Sequence, residues 1–152
     1  MANTYTQIYV HIVFSVKNRK CLIQKFVKET INKYITGIVK NRKCKLLSIN
    51  SMPDHIHILI AMHPENSVSS LVREIKSSTS KFINSEKHLG YKFQWQVGFG
   101  AFSYSHSHVD AVIKYIQNQE EHHRAKTFKD EYLDLLQKFN VKYDLKYVFE
   151  NN

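Results

Sequence analysis

The chain has 152 residues, with 22 Lys or Arg against 13 Asp or Glu, a formal net charge of +9 and a pI near 9.5. This length fits one domain with a core of its own, and no apolar run approaches the roughly 20 residues of a membrane-spanning helix. Such a basic chain favours a polyanion such as nucleic acid as its partner. We expect one domain over residues 1–152, cytoplasmic and without a membrane partner, in which both cysteines are reduced.

The first half of the sequence predicts a strand, a helix and a hairpin. Alternating β-branched and aromatic residues indicate a long strand over 4–16. Apolar residues at helical spacing predict a helix over about 24–39. Two short apolar runs, 44–50 and 55–61, flank a turn at 51–54 that contains proline and aspartate. We therefore expect these two runs to pair with each other.

The second half predicts a helix and a fourth strand. A serine at or near Ser67 can cap a helix whose apolar positions run from Val68 to Phe82. Aromatic residues then alternate over 93–102, which indicates a strand that Gly98 and Gly100 weaken. The element order is therefore β-α-β-β-α-β, the ferredoxin-like split βαβ pattern of an α+β fold, with an antiparallel sheet and helices packed on one face.

Two more helices are predicted after the fourth strand. Ser107 and Asp110 have the spacing of a capping box, and the apolar positions that follow give the next helix one apolar side. Tyr115 and Gln119 lie near the edge of that side. A last helix is expected over about 128–139.

Two histidines stand in an otherwise apolar strand. His55 and His57 are two residues apart, so a strand places both rings on the same face, where they can chelate one metal. Exposure on an open sheet face is the plainer interpretation of the pair alone, but the run is otherwise apolar on both faces, which favours a metal site. Imidazoles favour zinc or another transition metal, whereas carboxamide and phosphate oxygens suit Mg²⁺ or Mn²⁺, and these residues alone leave the metal open.

Tyr115 and Gln119 are four residues apart, which on one helix separates them by roughly 40° around the axis. A phenol and a carboxamide can then point into one site. The alternative is that the tyrosine packs at the border of the apolar side and the glutamine is an exposed helix former. The sequence 122–124, His-His-Arg, is most simply a positive complement to the end of a helix dipole, and we assign it no chemistry.

The excess of positive charge suggests contacts with DNA or RNA phosphates, although basic residues most often lie on solvated faces. The candidates are Arg19, Lys20, Arg42, Lys43, Arg73, Lys76 and Lys81.

The two histidines on a strand, followed about sixty residues later by Tyr-x-x-x-Gln, resemble the HUH superfamily of single-strand DNA nucleases. Within it, the segments 52–57, 95–103 and 112–119 are similar to the single-tyrosine transposases of small bacterial insertion sequences, including relatives associated with repetitive extragenic palindromes. The similarity covers nearly the whole chain.

The resemblance implies that His55, His57 and Gln119 bind Mg²⁺ or Mn²⁺ and that Tyr115, on the C-terminal helices, attacks a DNA phosphate. The product would be a 5′-phosphotyrosine and a free 3′-hydroxyl. The implied partners are single-stranded DNA with hairpin ends and a second copy of the chain, the tyrosine helix of one subunit often serving the histidines of the other.

Other classes of protein remain possible at this point. A non-catalytic nucleic-acid-binding module of ferredoxin-like fold would share the topology and the charge. A replication or mobilisation relaxase would share the chemistry, usually in a longer chain. A domesticated relative acting on genomic palindromes would share nearly every feature.

Overall fold

The computed structural model describes residues 3–85 and 92–149. One antiparallel sheet in the strand order β2-β3-β1-β4 forms its centre. Its strands are β1 (Tyr9–Ser15), β2 (Lys45–Met52), β3 (His55–Ala61) and β4 (Gly100–Tyr104). This order places β3 and β1 between two edge strands, as the split βαβ pattern predicts.

Among the described residues, six α-helices surround the sheet: α1 (Lys25–Asn41), α2 (Val68–Ser85), α3 (Val109–Gln117), α4 (Gln119–Ala125), α5 (Phe128–Lys138) and α6 (Leu145–Val148). Within residues 3–85 and 92–149, no helix has both the length and the apolar character needed to cross a membrane. Cys21 is exposed and Cys44 is buried, and both are free thiols.

The two faces of β3 have different roles because successive side chains point in opposite directions. Ile56, Ile58 and Ile60 face α1 and α2 and belong to the main apolar core. The alternate residues of the strand face α3, α4 and α5, where Leu59 packs with α3. The prediction of helices on one face thus holds for α1 and α2, while the C-terminal helices cover the opposite face, which carries the histidines.

Two predicted strand boundaries were wrong. β1 begins at Tyr9 rather than near residue 4. The fourth strand was expected over 93–102, but it spans Gly100–Tyr104, and within the preceding segment Trp95 forms only an isolated bridge with Val16. The alternating aromatics there are buried in the core, which explains the apolar pattern, whereas Gly98 has φ 91°, a left-handed conformation that interrupts an extended strand.

One of the two predicted helix caps is present. Ser67 Oγ accepts a hydrogen bond from the Ser70 backbone N–H at 3.1 Å, just before α2. The capping box at Ser107 and Asp110 is absent: Ser107 lies within a short 3₁₀ turn, with its Oγ 3.0 Å from Ser105 Oγ, and α3 begins without a side-chain cap. The 3₁₀ turn supplies the first backbone bonds instead, which removes the need for that cap.

The helix α5 lies close against the end of the sheet. A Cβ at Gly100 would lie 2.8 Å from Tyr132 Cε1, so only glycine allows this approach. The contact brings the N-terminal turns of α5 over the face that carries His55 and His57.

Candidate active site

His55 and His57 lie side by side on the face of β3 that the C-terminal helices cover. Their exposed fractions are 1% and 0%, and their ring centroids are 5.1 Å apart. His55 Nδ1 lies 2.6 Å from Asp54 Oδ1, and His57 Nδ1 lies 2.8 Å from Nε2 of the buried His11 on β1. The Nδ1 contacts direct both Nε2 atoms toward the C-terminal helices.

Tyr115 and Gln119 reach the same place from two helices rather than one. The predicted single helix is broken at Asn118, whose φ of −94° and ψ of 23° end α3 and begin α4. Gln119 is fully buried, and its Oε1 lies 3.2 Å from His55 Nε2. The ring of Tyr115 is half-buried, 5.8 Å from that of His57. The four predicted site residues therefore meet, although the backbone that joins them is kinked.

Two residues that the sequence analysis did not select complete the cluster. Glu131 of α5 is only 4% exposed, and its Oε1 lies 3.0 Å from His57 Nε2 and 3.1 Å from His123 Nε2. Its Oε2 accepts hydrogen bonds from the Tyr115 hydroxyl and, at 3.0 Å, from Gln119 Nε2. His123 Nε2 also lies 2.9 Å from Gln119 Oε1. The assignment of His123 to helix-dipole stabilisation alone was therefore wrong.

Sequence signals for these two residues exist but are faint. Glu131 lies three residues after Phe128 and four before Leu135, so it is a carboxylate on the apolar side of its helix. His123 follows Gln119 by four residues, which places both on one side of α4. A buried-face carboxylate signals a polar site, but only the packing identifies its partners.

The protonation of the cluster follows from burial and from Glu131. Burial alone raises the pKa of the Glu131 carboxyl, but the hydrogen bond and charge of His57, and the hydrogen bond from Tyr115, hold it well below its usual value. Burial, together with the negative charge of Glu131, raises the pKa of the Tyr115 phenol. Burial lowers the pKa of His57. At neutral pH the carboxylate is thus ionised, the phenol protonated and the imidazole neutral.

The cluster has the composition of a metal centre. His55, His57, His123 and Glu131 each offer one ligand atom, and these atoms all lie within 4.8 Å of one another. A neutral imidazole and an ionised carboxylate are the forms in which these side chains bind a cation. The residues could therefore hold a metal ion, and the chemical type of the ligand atoms determines which metal fits best.

A cavity of about 540 Å³ adjoins Tyr115 between α3 and α5. Tyr115, His122 and Glu131 line it, together with Tyr104 and Lys138. Aromatic and basic side chains and three carboxylates share the lining. A ligand in this cavity would therefore lie beside the Tyr115 ring.

The seven basic candidates lie on three separate segments. Arg42 forms an ion pair with Glu74 at 2.6 Å, which ties α1 to α2. Lys76 donates to the Gln96 carbonyl at 2.7 Å, and the Arg19 guanidinium lies 4.4 Å from the centre of the Phe149 ring. The other four are exposed on the surface: Lys20, Lys43, Arg73 and Lys81.

The family described as "Transposase IS200 like" matches residues 4–119 of this sequence. The chain belongs to the IS200-like transposases. The match confirms the resemblance noted in the sequence and makes this chain a DNA-processing enzyme; it favours a transposase over a relaxase. It ends at Gln119, so His123 and Glu131 lie beyond the matched segment.

Individual IS200-like relatives are distant in sequence. The ISDra2 transposase TnpA of Deinococcus radiodurans is 22% identical over 121 residues, which cover 76% of this chain and 86% of that protein. A crystal structure of a D. radiodurans R1 transposase has a TM-score of 0.62 at 18% identity and covers 77% of this chain and 94% of that one.

A second solved structure, of a REP-associated tyrosine transposase bound to a REP hairpin, has a TM-score of 0.63 at 16% identity. It covers 99% of this chain and 96% of that one. At these identities the similarity concerns the fold, and it extends over the C-terminal helices that carry His123 and Glu131.

Proposed function

We propose that this protein cuts and rejoins single-stranded DNA at hairpin-bearing element ends through a 5′-phosphotyrosine at Tyr115. The observation that carries the proposal is the direct hydrogen bond from the Tyr115 hydroxyl to a carboxylate that also contacts His57. A nucleophile and a cation-binding cluster thus share one pocket. The solved relative bound to a REP hairpin supports a hairpin substrate.

The chemistry is a transesterification at phosphorus. The Tyr115 oxygen forms a bond to the scissile phosphorus, the bond from phosphorus to the 3′-oxygen breaks, and the proton that the phenol loses is passed on to the departing 3′-oxygen, which leaves as a hydroxyl. Glu131 Oε2 already accepts the phenol's hydrogen bond and is placed to relay that proton. Rejoining reverses these steps, so the energy of the phosphodiester is kept without ATP.

A divalent ion fits the donors beside Tyr115. We propose His55, His57 and Gln119 as its ligands and Mg²⁺ or Mn²⁺ as its identity. Bound there, the ion would polarise the scissile phosphate and offset its developing charge. Two observations support this role. The His57 ring is neutral, and the contacts with Asp54 and His11 orient the two imidazoles.

We also propose a homodimer, on the basis of the resemblance. The sheet has β2 and β4 as its edges, and an edge strand can pair with a second copy. Within one chain Tyr115 already lies beside His57. A composite site would therefore require α3 to exchange between subunits.

We propose that the exposed basic residues Lys20, Lys43, Arg73 and Lys81 contact the DNA backbone. The net charge of +9 supports this role. Arg19, Arg42 and Lys76 each already have an intramolecular contact. We propose that their positive charge also attracts the DNA backbone, with a smaller contribution than that of the four exposed residues.

The covalent intermediate tests the function directly. Wild-type protein incubated with a labelled single-stranded hairpin oligonucleotide and Mn²⁺ should give an adduct that survives denaturant, and protease digestion should place it on the peptide with Tyr115. Tyr115→Phe removes only the hydroxyl, so it should bind the hairpin within about threefold of wild type, a change of under 1 kcal/mol, and form no adduct.

Tyr104→Phe is the matched control, because that ring lines the same cavity. It should still form the adduct at Tyr115. An adduct on Tyr104 or Tyr132, or an undiminished adduct in Tyr115→Phe, would refute the assignment. Hairpin binding with no adduct under any divalent metal would favour the non-catalytic binding module.

A further inference from the structure

The hydrogen bonds of His55 and His123 decide which ring nitrogen faces the cluster. His55 Nδ1 lies 2.6 Å from the Asp54 carboxylate, and His123 Nδ1 lies 2.7 Å from the carbonyl oxygen of Lys126. Both partners are acceptors, so each Nδ1 carries the ring hydrogen. With the hydrogen on Nδ1, it is the Nε2 atom that is turned toward the cluster and can bind a cation.

Acceptor atoms therefore converge on one point. The Nε2 atoms of His55 and His123 face Gln119 Oε1 at 3.2 and 2.9 Å. His123 Nε2 also faces Glu131 Oε1 at 3.1 Å. One cation placed among these atoms would contact the ring nitrogens and both oxygens together. This arrangement indicates a cation site.

The spacing of these atoms is that of ligands around one ion. Two ligands bound at about 2.1 Å lie about 3.0 Å apart in an octahedron and about 3.4 Å apart in a tetrahedron. The Nε2 atoms of the three histidines and the Oε1 atoms of Gln119 and Glu131 give neighbouring separations from 2.9 to 3.6 Å. Three nitrogens and two oxygens are thus in place.

We propose that His123 and Glu131, beyond the family-matched segment, bind the same ion as His55, His57 and Gln119, and that this set prefers a transition metal to Mg²⁺. The inference rests on the proposed function only in placing a divalent ion at this site. Three imidazole nitrogens favour transition metals, whereas Mg²⁺ prefers oxygen ligands and retains water. The set therefore selects Mn²⁺ over Mg²⁺.

Glu131 also acts as a positioning residue for the nucleophile. While Oε1 faces the histidines, Oε2 accepts the hydrogen bond from Tyr115 and is supported by Gln119 Nε2. One buried carboxylate thus joins the cation site to the phenol. Loss of its charge should alter both metal affinity and the environment of Tyr115.

Metal binding by the full-length protein, stripped with chelator, tests the inference without DNA. In calorimetric titrations, wild type should bind Mn²⁺ at least about tenfold more tightly than Mg²⁺. His123→Ala and Glu131→Gln should each weaken Mn²⁺ binding at least about tenfold. His123→Ala should also reduce the ratio of Mn²⁺ affinity to Mg²⁺ affinity, because it removes a nitrogen ligand.

Pulsed electron paramagnetic resonance of bound Mn²⁺ counts the imidazole nitrogens. Wild type should show three and His123→Ala two. His106→Ala and Glu120→Gln change exposed residues of the same types outside the cluster and should leave Mn²⁺ affinity unchanged. If His123→Ala does not fold, the wild-type spectrum alone decides: three nitrogens support the proposal, and two overturn it.

Unchanged Mn²⁺ affinity in folded His123→Ala and Glu131→Gln would show that these side chains form only an ion-pair network. Equal affinity of wild type for Mg²⁺ and Mn²⁺ would overturn the selectivity. The proposed function fails separately, through the adduct on Tyr115. If the adduct forms but the predicted Mn²⁺ affinity and selectivity are absent, only this inference is refuted. If the Mn²⁺ affinity and selectivity are as predicted but no adduct forms, only the transposase chemistry is refuted.

Discussion

The contact between Tyr115 and Glu131 should appear as a coupling energy in a double-mutant cycle. Tyr115→Phe removes one donor to the carboxylate, but Oε2 keeps its bond from Gln119, so we expect a loss of about 1 kcal/mol in the free energy of unfolding. Glu131→Gln removes the charge that Tyr115, His57 and His123 all contact, and about 2–4 kcal/mol should be lost.

The double variant should be more stable than the sum of the single losses predicts. A hydrogen bond to a charged group contributes about 1.5–3 kcal/mol, and because Tyr115 is only half-buried we take a coupling of about 1 kcal/mol, equal to the whole loss expected for Tyr115→Phe. Urea unfolding followed by circular dichroism, with chelator present, measures each corner of the cycle.

Tyr132→Phe provides the matched cycle, because this neighbouring hydroxyl lies beside Gly100. Combined with Glu131→Gln it should be additive within about 0.5 kcal/mol. A coupling between Tyr115 and Glu131 that is equally small would refute the argument that one carboxylate holds the nucleophile.

Three further predictions concern metal, pH and substrate. Replacing His55 and His57 together with alanine should abolish divalent-dependent cleavage, and cleavage by wild type in excess chelator would contradict the metal assignment. Because the folded-state pKa of Glu131 is depressed, its contribution to stability is present above the unfolded value of about 4.3 and is lost as the pH falls below it. Denaturant midpoints in chelator should therefore fall more steeply below that pH for wild type than for Glu131→Gln, and parallel curves would exclude Glu131 as the cause. Cleavage should require single-stranded DNA with a folded hairpin, and binding should weaken steeply with salt as counterion release contributes less. Cleavage of fully paired duplex DNA at the same rate would contradict the prediction of a hairpin substrate.

A subunit-mixing experiment tests the dimer. A mixture of Tyr115→Phe and His57→Ala subunits should recover part of the activity if one site draws its tyrosine and histidines from two chains. Full activity of a monomeric protein would instead support the arrangement within one chain, in which Tyr115 already contacts Glu131.

Local periodicity was enough to predict the β-α-β-β-α-β order and the common face of His55 and His57, but it predicted two C-terminal helices where the structure has α3, α4, α5 and α6. The alternation around His55 and His57 sets their common face, because direction along a strand depends only on residue parity. Helical spacing likewise predicted α1, α2 and α5. The break at Asn118 was missed because residues 117–124 are all polar, so no apolar spacing marks where one helix ends and the next begins.

The sequence by itself determined the fold class and the basic charge, and its resemblance to the single-tyrosine transposases implied that His55 and His57 act together with Tyr115 and Gln119. Only the tertiary structure added His123 and Glu131 to that group. Glu131 is 74 residues from His57, and their 3.0 Å contact exists because α5 packs on the face of the sheet opposite α1 and α2. Which side chains share a buried charge depends on that packing, and packing between distant elements is not encoded in any local spacing.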